Sequence, residues 1–259
     1  AIEFKKNGVE PLILDTRKNP QSEIVDEAKN LGINIKFSHV VVAANGYKKV
    51  NSAQIAQISA NKKDLGIIEK INCDCICVSG FWTPSIHLSS QSGNKTKFDD
   101  KIDAFVPGKS KQNETTVGSA NGIFNLEETI NTSFEKGYEL SKKITNKDNK
   151  VSIPQVSEKN YTSHDKFWCV PLPDKKNYKR FLDFQNDVTV SDIELALREG
   201  YRSIEHVKRY TTLGMATDQG KTSNLNGLQL VSDVENKIVP SVGHTTFRPP
   251  YTPVSIGAI

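Results

Sequence analysis

Residues 183–224 carry the start and stop signals of two short helices and the beginning of a third. Thr189 or Ser191 can accept a backbone N–H where the first helix begins, and Gly200 offers a left-handed stop. The second helix then runs up to Gly214. This succession of caps, apolar residues and glycine stops predicts a small, mostly helical domain.

The loop after the second predicted helix is dense in glycine and in small hydrogen-bonding residues (GMATDQGKTSN, residues 214–224). Such a loop can bring backbone amides, a lysine and hydroxyls up to a phosphate. The composition of this loop therefore indicates an anion-binding segment that leads into a third helix.

Four polar residues flank these helices at a recognisable spacing. Asp183 and Gln185 precede the first helix, and Asp218 and Ser223 follow the second, with QGK between them at residues 219–221. The spacing resembles bacterioferritin-associated-ferredoxin modules, which have C-x-C and C-x4-C there. None of the four supplies a thiolate, so no iron–sulfur cluster is expected. Gln185 and Asp218 are expected to hydrogen-bond across the space that a cluster would fill.

Three blocks of sequence carry a family resemblance. DFQNDV, EHVKRYTTLGM and TDQGKTSN lie within residues 183–224, CVSGFWTPSIHL is residues 77–88, and TTFRPPYTPV is residues 245–254. Together and in this order they resemble the α subunits of heterotetrameric sarcosine oxidase. The second block is similar to that family's SGGW-x-P-x-x-HL, with Phe81 for the second glycine. The third is similar to the junction with its folate-binding domain, so this chain is expected to be a piece of a longer subunit.

The N-terminal part of the chain alternates between strand and helix signals. Residues 9–15 and 33–37 predict strands on either side of a polar helix over residues 22–31, which is typical of the second half of a dinucleotide-binding fold. Asp15 ends the first strand and could bind a ribose. Because no G-x-G-x-x-G precedes it, a solvated carboxylate is the preferred interpretation.

A small antiparallel meander and a cysteine-rich strand are predicted next. The meander segments are residues 40–44, 48–59 and 65–71. Cys73, Cys75 and Cys77 alternate in INCDCIC, which predicts a buried strand with the three thiols on one face. Only Cys169 remains elsewhere, so buried structural thiols are preferred over metal ligands. Disulfides are not expected in a cytosolic setting.

A glycine-containing turn, VGSANGIF at residues 117–124, precedes a helix predicted over residues 126–144. In glutathione-reductase-like flavoproteins a G-D-x-x-G turn at this position meets the cofactor ribose, and the helix N-terminus faces the pyrophosphate. Serine replaces the acid here. The resemblance implies that NAD is contacted by Gly118, Ser119, Gly122, Phe124 and Leu126. A plain loop before a helix is the alternative.

The resemblance also implies a second cofactor site. In the family, FMN lies between the α and β subunits and is covalently held by a histidine of the β subunit. Cations and hydroxyls of the α subunit suit its phosphate. The candidate FMN-binding residues are Lys208, Arg209, Thr211, Thr212, Gln219, Lys221 and Thr222. An ordinary helix end favoured by the helix dipole is the alternative for Lys208 and Arg209.

The predicted fold is an α/β dinucleotide-binding (glutathione-reductase-like) domain portion followed by a small mostly helical domain. The resemblance implies an FAD/NAD(P)-binding-like portion with an insert domain over residues 1–150 and a linker over residues 151–180. It further implies a helical ferredoxin-like domain without cluster cysteines over residues 181–245 and the start of an aminomethyltransferase domain over residues 246–259.

Charge and hydropathy limit the partners. The 34 basic and 30 acidic residues give a net charge of +4 that is spread along the chain, so no nucleic-acid partner is expected. No apolar run approaches the roughly 20 residues that a membrane-spanning helix needs. The expectation is a cytoplasmic protein without a membrane partner.

The resemblance implies an oxidase subunit in a complex that contains FAD, FMN and NAD. Such an enzyme demethylates sarcosine to glycine, with hydrogen peroxide and 5,10-methylenetetrahydrofolate or formaldehyde as products. FAD and tetrahydrofolate would lie elsewhere in the complex, the amine substrate would bind at the β subunit, and the partners would be the β, γ and δ subunits. Two alternatives stay open: a related amine or amino-acid dehydrogenase subunit that uses another electron acceptor, or a non-catalytic cofactor-binding assembly subunit.

Overall fold

The computed structural model describes residues 1–80, 82–148, 152–156, 166–172, 178–247, 249 and 251–258. Contacts divide the chain into two compact units. The first unit comprises residues 1–80 and 159–180, and the second comprises residues 81–158 and 181–259.

The first unit begins with a β–α–β element. Its members are helix α1 (Ile2–Lys6), strand β1 (Leu12–Asp15), helix α2 (Glu23–Asn30) and strand β2 (Asn34–Phe37). β1 and β2 pair in parallel, with Ile13 opposite Ile35. Ser22 caps α2 by accepting the backbone N–H of Val25, and Gly32 adopts a left-handed conformation after the helix. The predicted strand–helix–strand order is confirmed.

Asp15, at the end of β1, is bound to Arg17 and is not simply solvated. Its Oδ1 accepts the backbone N–H of Arg17 at 2.9 Å, and its Oδ2 accepts a guanidinium N–H of Arg17 at 2.7 Å. Burial by itself would raise the pKa of Asp15, but the hydrogen bonds and charge of Arg17 hold that pKa below its ordinary value. The predicted solvated carboxylate is therefore wrong, because this acid fixes the turn that follows the strand.

Three antiparallel strands form the second sheet of the first unit. They are β3 (His39–Gly46), β4 (Val50–Ile58) and β5 (Leu65–Asn72), with β4 in the middle. β4 buries Ile55 and Ala56 almost completely. β5 is exposed or half-buried along its length. The predicted meander is confirmed.

The cysteine-rich segment after β5 is not a buried strand, and that prediction is wrong. Residues 73–80 are irregular, and Cys75 and Cys77 are exposed. The pairing with β4 ends at Asn72 and Ser52, and one further bond joins the Cys73 N–H to the carbonyl of Asn51 near the start of β4. The Cys75 and Cys77 sulfurs lie 3.8 Å apart. Their hydrogen bond, together with the charge of the neighbouring thiolate, raises the pKa of Cys75 above its ordinary value.

The second unit begins with a short helix, a hairpin and a long helix. These are α3 (His87–Gln91), β6 (Thr96–Asp99), β7 (Ala104–Pro107), a 3-10 turn (Gly118–Asn121) and α4 (Leu126–Thr145). Asn125 caps α4 by accepting the backbone N–H of Glu128 at 2.8 Å. The helix predicted over residues 126–144 is confirmed, although none of its residues is fully buried.

The remainder of the second unit is mostly helical, as predicted. Its elements are β8 (Phe181–Asp183), β9 (Val188–Thr189), α5 (Val190–Arg198), α6 (Ile204–Thr211), α7 (Asn224–Glu235), α8 (Val239–Val242) and a final 3-10 turn (Ile256–Ala258). Thr189 and Asp192 form a reciprocal capping box at the start of α5. Ile193, Val207 and Val231 are fully buried, one from each of α5, α6 and α7. These three helices therefore enclose a common apolar core.

The mixed α/β content of the described residues fits a dinucleotide-binding fold. The glutathione-reductase-like arrangement and the boundaries at residues 150, 180 and 245 stay predictions. Phe81 and much of the linker predicted over residues 151–180 lie outside the described residues. None of the described helices combines the length and apolarity that a bilayer crossing requires.

Candidate functional site

Asp183 is a buried carboxylate that ties two loops of the helical region together. Its Oδ1 accepts the backbone N–H groups of Gln185 and Asn186 at 2.9 and 3.2 Å. Its Oδ2 accepts the backbone N–H of Gly214 at 2.8 Å and the hydroxyl of Ser223 at 3.4 Å. A carboxylate has about four acceptor positions, so these four donors use its whole capacity.

Hydrogen bonds join the four positions where the ferredoxin-like pattern has cysteines. Ser223 donates to Asp183, and Gln185 Oε1 accepts the backbone N–H of Asp218 at 3.3 Å and the hydroxyl of Thr217 at 2.8 Å. The predicted bond between Gln185 and Asp218 is confirmed, with the main chain of Asp218 as donor. Within the described ranges, no group of three or more His, Cys, Asp or Glu side chains could hold a metal ion.

Two glycines of the 214–223 loop close tightly on Asn224. Gly214 and Gly220 both have left-handed backbones, with φ of 66° and 72°. A Cβ at Gly214 would lie 2.1 Å from Asn224 Oδ1, and one at Gly220 would lie 2.2 Å from the same atom. Only glycine fits either position, and the loop therefore wraps the Asn224 amide at the start of α7.

His87, at the start of α3, lies buried beneath the C-terminal segment. Its ring packs against that of Phe247 at a centroid distance of 3.9 Å and an interplanar angle of 38°, and Tyr251 lies edge-on at 5.9 Å. Its Nε2 is 3.1 Å from the backbone carbonyl of Gln219. Because a carbonyl can only accept, Nε2 carries the proton. Burial lowers the pKa of His87, and the positive charge of Lys221 lowers it further.

A pH prediction follows from this lowered pKa. Below the ordinary histidine value of 6.5, the unfolded chain binds a proton that folded His87 rejects, so stability falls as pH decreases from there. We expect His87→Gln, which keeps an Nε2 donor but does not titrate, to flatten the slope by up to about 1.4 kcal/mol per pH unit. Denaturant unfolding between about pH 7 and pH 5 measures the slope. The exposed His206→Gln is the control, and equal slopes in all three proteins would contradict the prediction.

Two of the predicted FMN-binding cations reach the same C-terminal segment, residues 246–251. Lys221 Nζ donates to the carbonyl of Tyr251 at 2.8 Å and lies 4.0 Å from the centre of its ring. Lys208 Nζ donates to the carbonyl of Thr246 at 3.4 Å. Both charges act on His87. The structure therefore brings these two lysines to one region of the second unit.

The other predicted FMN-binding residues mainly bond within their own segments. Arg209 pairs with Glu205 at 2.8 Å, and Glu205 also accepts the backbone N–H of Thr246. Burial would raise the pKa of Glu205, but the Thr246 and Arg209 hydrogen bonds hold it below its ordinary value. The remaining four side chains all donate to nearby acceptors, namely Thr211 to Val207, Thr212 to Thr211, Gln219 to Ala216 and Thr222 to Asp218.

The predicted NAD segment forms a tight turn before α4. Gly118 and Gly122 have left-handed backbones, with φ of 65° and 82°. A Cβ at Gly122 would lie 2.7 Å from the Ile102 side chain, so this glycine serves internal packing as well as any ligand approach. Ser119 is exposed on the turn.

The start of α4 is less suited to an anion than the sequence pattern implies. Asn125 already occupies the Glu128 N–H, and Glu127 and Glu128 add negative charge to the first turn. Leu126 is exposed, and Phe124 lies 6.4 Å from the ring of Trp82, which is 70% exposed. The segment therefore offers apolar and aromatic surface more readily than a pyrophosphate site.

Sequence reasoning missed three buried polar residues beside the lysines. His87, Asn224 and Thr245 are each more than nine-tenths buried. The sequence shows His87 only as part of the CVSGFWTPSIHL block, and Asn224 only as the last residue of a polar loop. The burial of His87 involves Phe247 and Tyr251 of the returning chain, and that of Asn224 involves Gly214 and Gly220, contacts that no local pattern reveals.

Comparison with known proteins gives a consistent picture. The family model described as "Sarcosine oxidase A3 domain" matches residues 177–259. The sarcosine oxidase α subunit of Corynebacterium sp. (strain U-96) is 30% identical over 264 aligned positions, which cover 99% of this chain. The chain belongs to the sarcosine oxidase α-subunit family. The α subunit of Rhizobium meliloti (strain 1021) is 37% identical over 196 positions, or 75% of this chain.

The similarity covers only part of each relative. The chain spans 27% of the Corynebacterium subunit and 20% of the Rhizobium subunit. Among solved structures, L-proline dehydrogenase from P. horikoshii aligns with a TM-score of 0.55 at 18% identity, covering 95% of this chain and 49% of that one. At this identity the likeness concerns the fold alone, and it agrees with the α/β content.

Proposed function

We propose that this chain works within a sarcosine oxidase α subunit, where it binds NAD and contributes to an FMN site shared with the β subunit. The relationship to such α subunits over 99% of the chain supports the assignment. The proposed reaction of the whole protein is oxidative demethylation of sarcosine to glycine, with hydrogen peroxide and 5,10-methylenetetrahydrofolate or formaldehyde as further products. No catalytic residue is assigned to this chain.

The observation that carries the FMN proposal is the position of Lys208 and Lys221, each bonded to a carbonyl of residues 246–251. A phosphate offers only acceptors, so its partners need N–H or O–H groups to donate. Each ammonium has three, and Lys221 uses one of them on Tyr251. The hydroxyls of Thr211, Thr212 and Thr222 each have a single hydrogen, which is already donated.

The positions of the two lysines beside residues 246 and 251, and the donor counts of Lys221 and the threonines, therefore rank the predicted FMN-binding residues. We place the phosphate at Lys208 and Lys221, with the second amide hydrogen of Gln219 as a further donor. Arg209 contributes less, because Glu205 neutralises its charge. FMN, when bound, supplies electron transfer, while the role of this chain is to bind and orient it.

The NAD proposal is supported by the exposed surface around Ser119. Ser119 is exposed on the turn that Gly118 and Gly122 form with left-handed backbones, so a ligand can reach the turn there. The exposed ring of Trp82, near Phe124, can stack against a planar base. We propose ring and ribose contacts here, since the carboxylates at the start of α4 oppose a pyrophosphate.

Cofactor content tests both sites in one experiment. In the assembled protein, Lys208→Gln with Lys221→Gln should lower FMN content about tenfold or more, because two charge-assisted bonds are lost, and should leave NAD unchanged. Ser119→Phe should lower NAD and leave FMN unchanged, so each variant is the control for the other. Lys237 is a basic residue of the same unit that pairs with Glu235, and Lys237→Gln should change neither the FMN content nor the NAD content. Full FMN in the double variant would refute the FMN site.

Activity separates the proposed reaction from the dehydrogenase alternative. Oxygen consumption with stoichiometric hydrogen peroxide on addition of sarcosine supports the oxidase. Reduction of an added electron acceptor without peroxide would favour the dehydrogenase.

A further inference from the structure

Three buried side chains of the second unit that line one small cavity also carry polar atoms that lack a hydrogen-bond partner. These atoms are His87 Nδ1, both amide atoms of Asn224 and the Thr245 hydroxyl, none of which has a partner among the described residues. The cavity measures about 50 Å³. The three residues are 3%, 6% and 1% exposed. Unsatisfied polar atoms are costly and uncommon at such burial, so three residues at one cavity indicate a ligand.

The protonation of His87 defines one requirement of that ligand. Nε2 donates to the Gln219 carbonyl, so in the neutral ring Nδ1 carries a lone pair and can only accept. Burial and the neighbouring lysine charges lower the pKa of His87 and keep the ring neutral near pH 7. The ligand must therefore donate a hydrogen bond to Nδ1.

Asn224 and Thr245 define the complementary requirement. The Asn224 amide is held in place by Gly214 and Gly220 and offers both an N–H donor and a carbonyl acceptor. The Thr245 hydroxyl can donate as well. A group that donates to His87 and also accepts from the amide or the hydroxyl would satisfy all three residues together.

The cavity walls argue for a small, uncharged group. Phe105, Leu228 and Phe247 also line the cavity, and apolar walls penalise an ion that lacks a paired charge. Lys221 lines it too, and its ammonium donates one of its three N–H groups to the Tyr251 carbonyl. A water molecule needs about 10–15 Å³ of such volume, so the space suits a group of roughly three or four heavy atoms.

We propose that this cavity is a binding site for a neutral group with a hydrogen-bond donor beside an acceptor, of the primary carboxamide or imide class. The donor faces His87 Nδ1, and the acceptor faces Asn224 and Thr245. Such a group is either a free small molecule or the polar edge of a larger ligand. None of the three residues that define the site belongs to the predicted FMN-binding set, although Lys221 of that set also lines the cavity.

Acetamide is the probe, and ligand-observed saturation-transfer NMR on the assembled protein measures its dissociation constant. We expect saturable binding, weakened about tenfold by Thr245→Val, since one buried hydrogen bond is lost without a change of shape. Ser90→Ala is the matched control: it removes a buried unpartnered hydroxyl that does not line the cavity, and binding should be unchanged. Acetone has the shape of acetamide but no donor, and should bind at least about tenfold more weakly.

The outcomes separate the two sources of the group. If FMN-loaded protein binds acetamide more weakly than FMN-depleted protein, the cavity takes the edge of that ligand; equal binding identifies a site for a free molecule. Either result supports the cavity site, and the second holds even if the FMN proposal fails. Three results would overturn the proposed cavity site and leave ordered water as its occupant. They are absence of saturable acetamide binding, equal affinity for acetone, and unchanged acetamide affinity in a Thr245→Val variant that circular dichroism shows to be folded.

Discussion

Replacing Asp183 with asparagine is expected to destabilise the helical region of the second unit by about 3 kcal/mol. The substitution keeps the shape of the side chain and opens no cavity. It turns one of the two acceptor oxygens into a donor, which would then face N–H groups. The asparagine should keep its oxygen towards the buried Gly214 and Ser223 and place its NH₂ group towards Gln185 and Asn186. These two residues are exposed, so their backbone N–H groups can bond to water instead.

Denaturant unfolding gives the loss of stability, and hydrogen exchange gives its location. The amides of Gln185 and Asn186 should exchange faster in the variant, while the amide of Gly214 stays protected. Asp187→Asn is the matched control, because Asp187 is exposed in the same loop and has a left-handed φ of 54° that asparagine tolerates. A change of less than about 1 kcal/mol in the Asp183 variant would show that the carboxylate is not the centre of this loop pair.

The elements that the sequence predicts well are those whose signals lie within a few residues. Thr189 and Asp192, three positions apart, form a capping box. Ser22 caps α2 by accepting the backbone N–H of Val25, also three positions away. Gly32 and Gly200 end their helices with left-handed backbones. In each case the residue that sets the boundary contacts its own helix, so no knowledge of the tertiary fold is needed.

The failures come from partners that the local pattern does not identify. Alternation at Cys73, Cys75 and Cys77 matches the two-residue period of a strand. A strand also needs a neighbouring strand, and the contact with β4 does not extend past Cys73. The strand pattern at Asp15 predicts a solvated carboxylate because nothing in it shows that the Arg17 side chain folds back onto the acid.

The candidate site shows the same limit. The sequence indicates which residue types could hold a phosphate, but not how their hydrogens are used. The bond from His87 to the Gln219 carbonyl spans 132 positions, and the bond from Lys208 to Thr246 spans 38. Only the fold shows that Lys221 donates one of its three N–H groups to the Tyr251 carbonyl, whereas the threonines of the same set each donate their single hydrogen to a neighbouring residue.

Replacing Gly220 with alanine is expected to cost about 3–4 kcal/mol, a larger effect than that of the Asp183 substitution. Two causes add up. An alanine at a φ of 72° is strained by about 1 kcal/mol or more, and its Cβ would lie 2.2–2.3 Å from three atoms of the Asn224 amide. Gly214, at another position of the same loop, also lies against that amide, since a Cβ there would be 2.1 Å from Asn224 Oδ1.

A matched glycine separates strain from steric overlap. Gly200 has a φ of 94°, and nothing lies within 4 Å of the position that a Cβ would take there, so Gly200→Ala should cost only the backbone term of about 1 kcal/mol. Shortening the obstructing side chain in Gly220→Ala/Asn224→Ser should recover about 2 kcal/mol relative to additivity in denaturant unfolding. If Gly220→Ala is no worse than Gly200→Ala, or if the double variant is simply additive, then Asn224 is free to move, and it cannot present a fixed amide to the cavity beside His87.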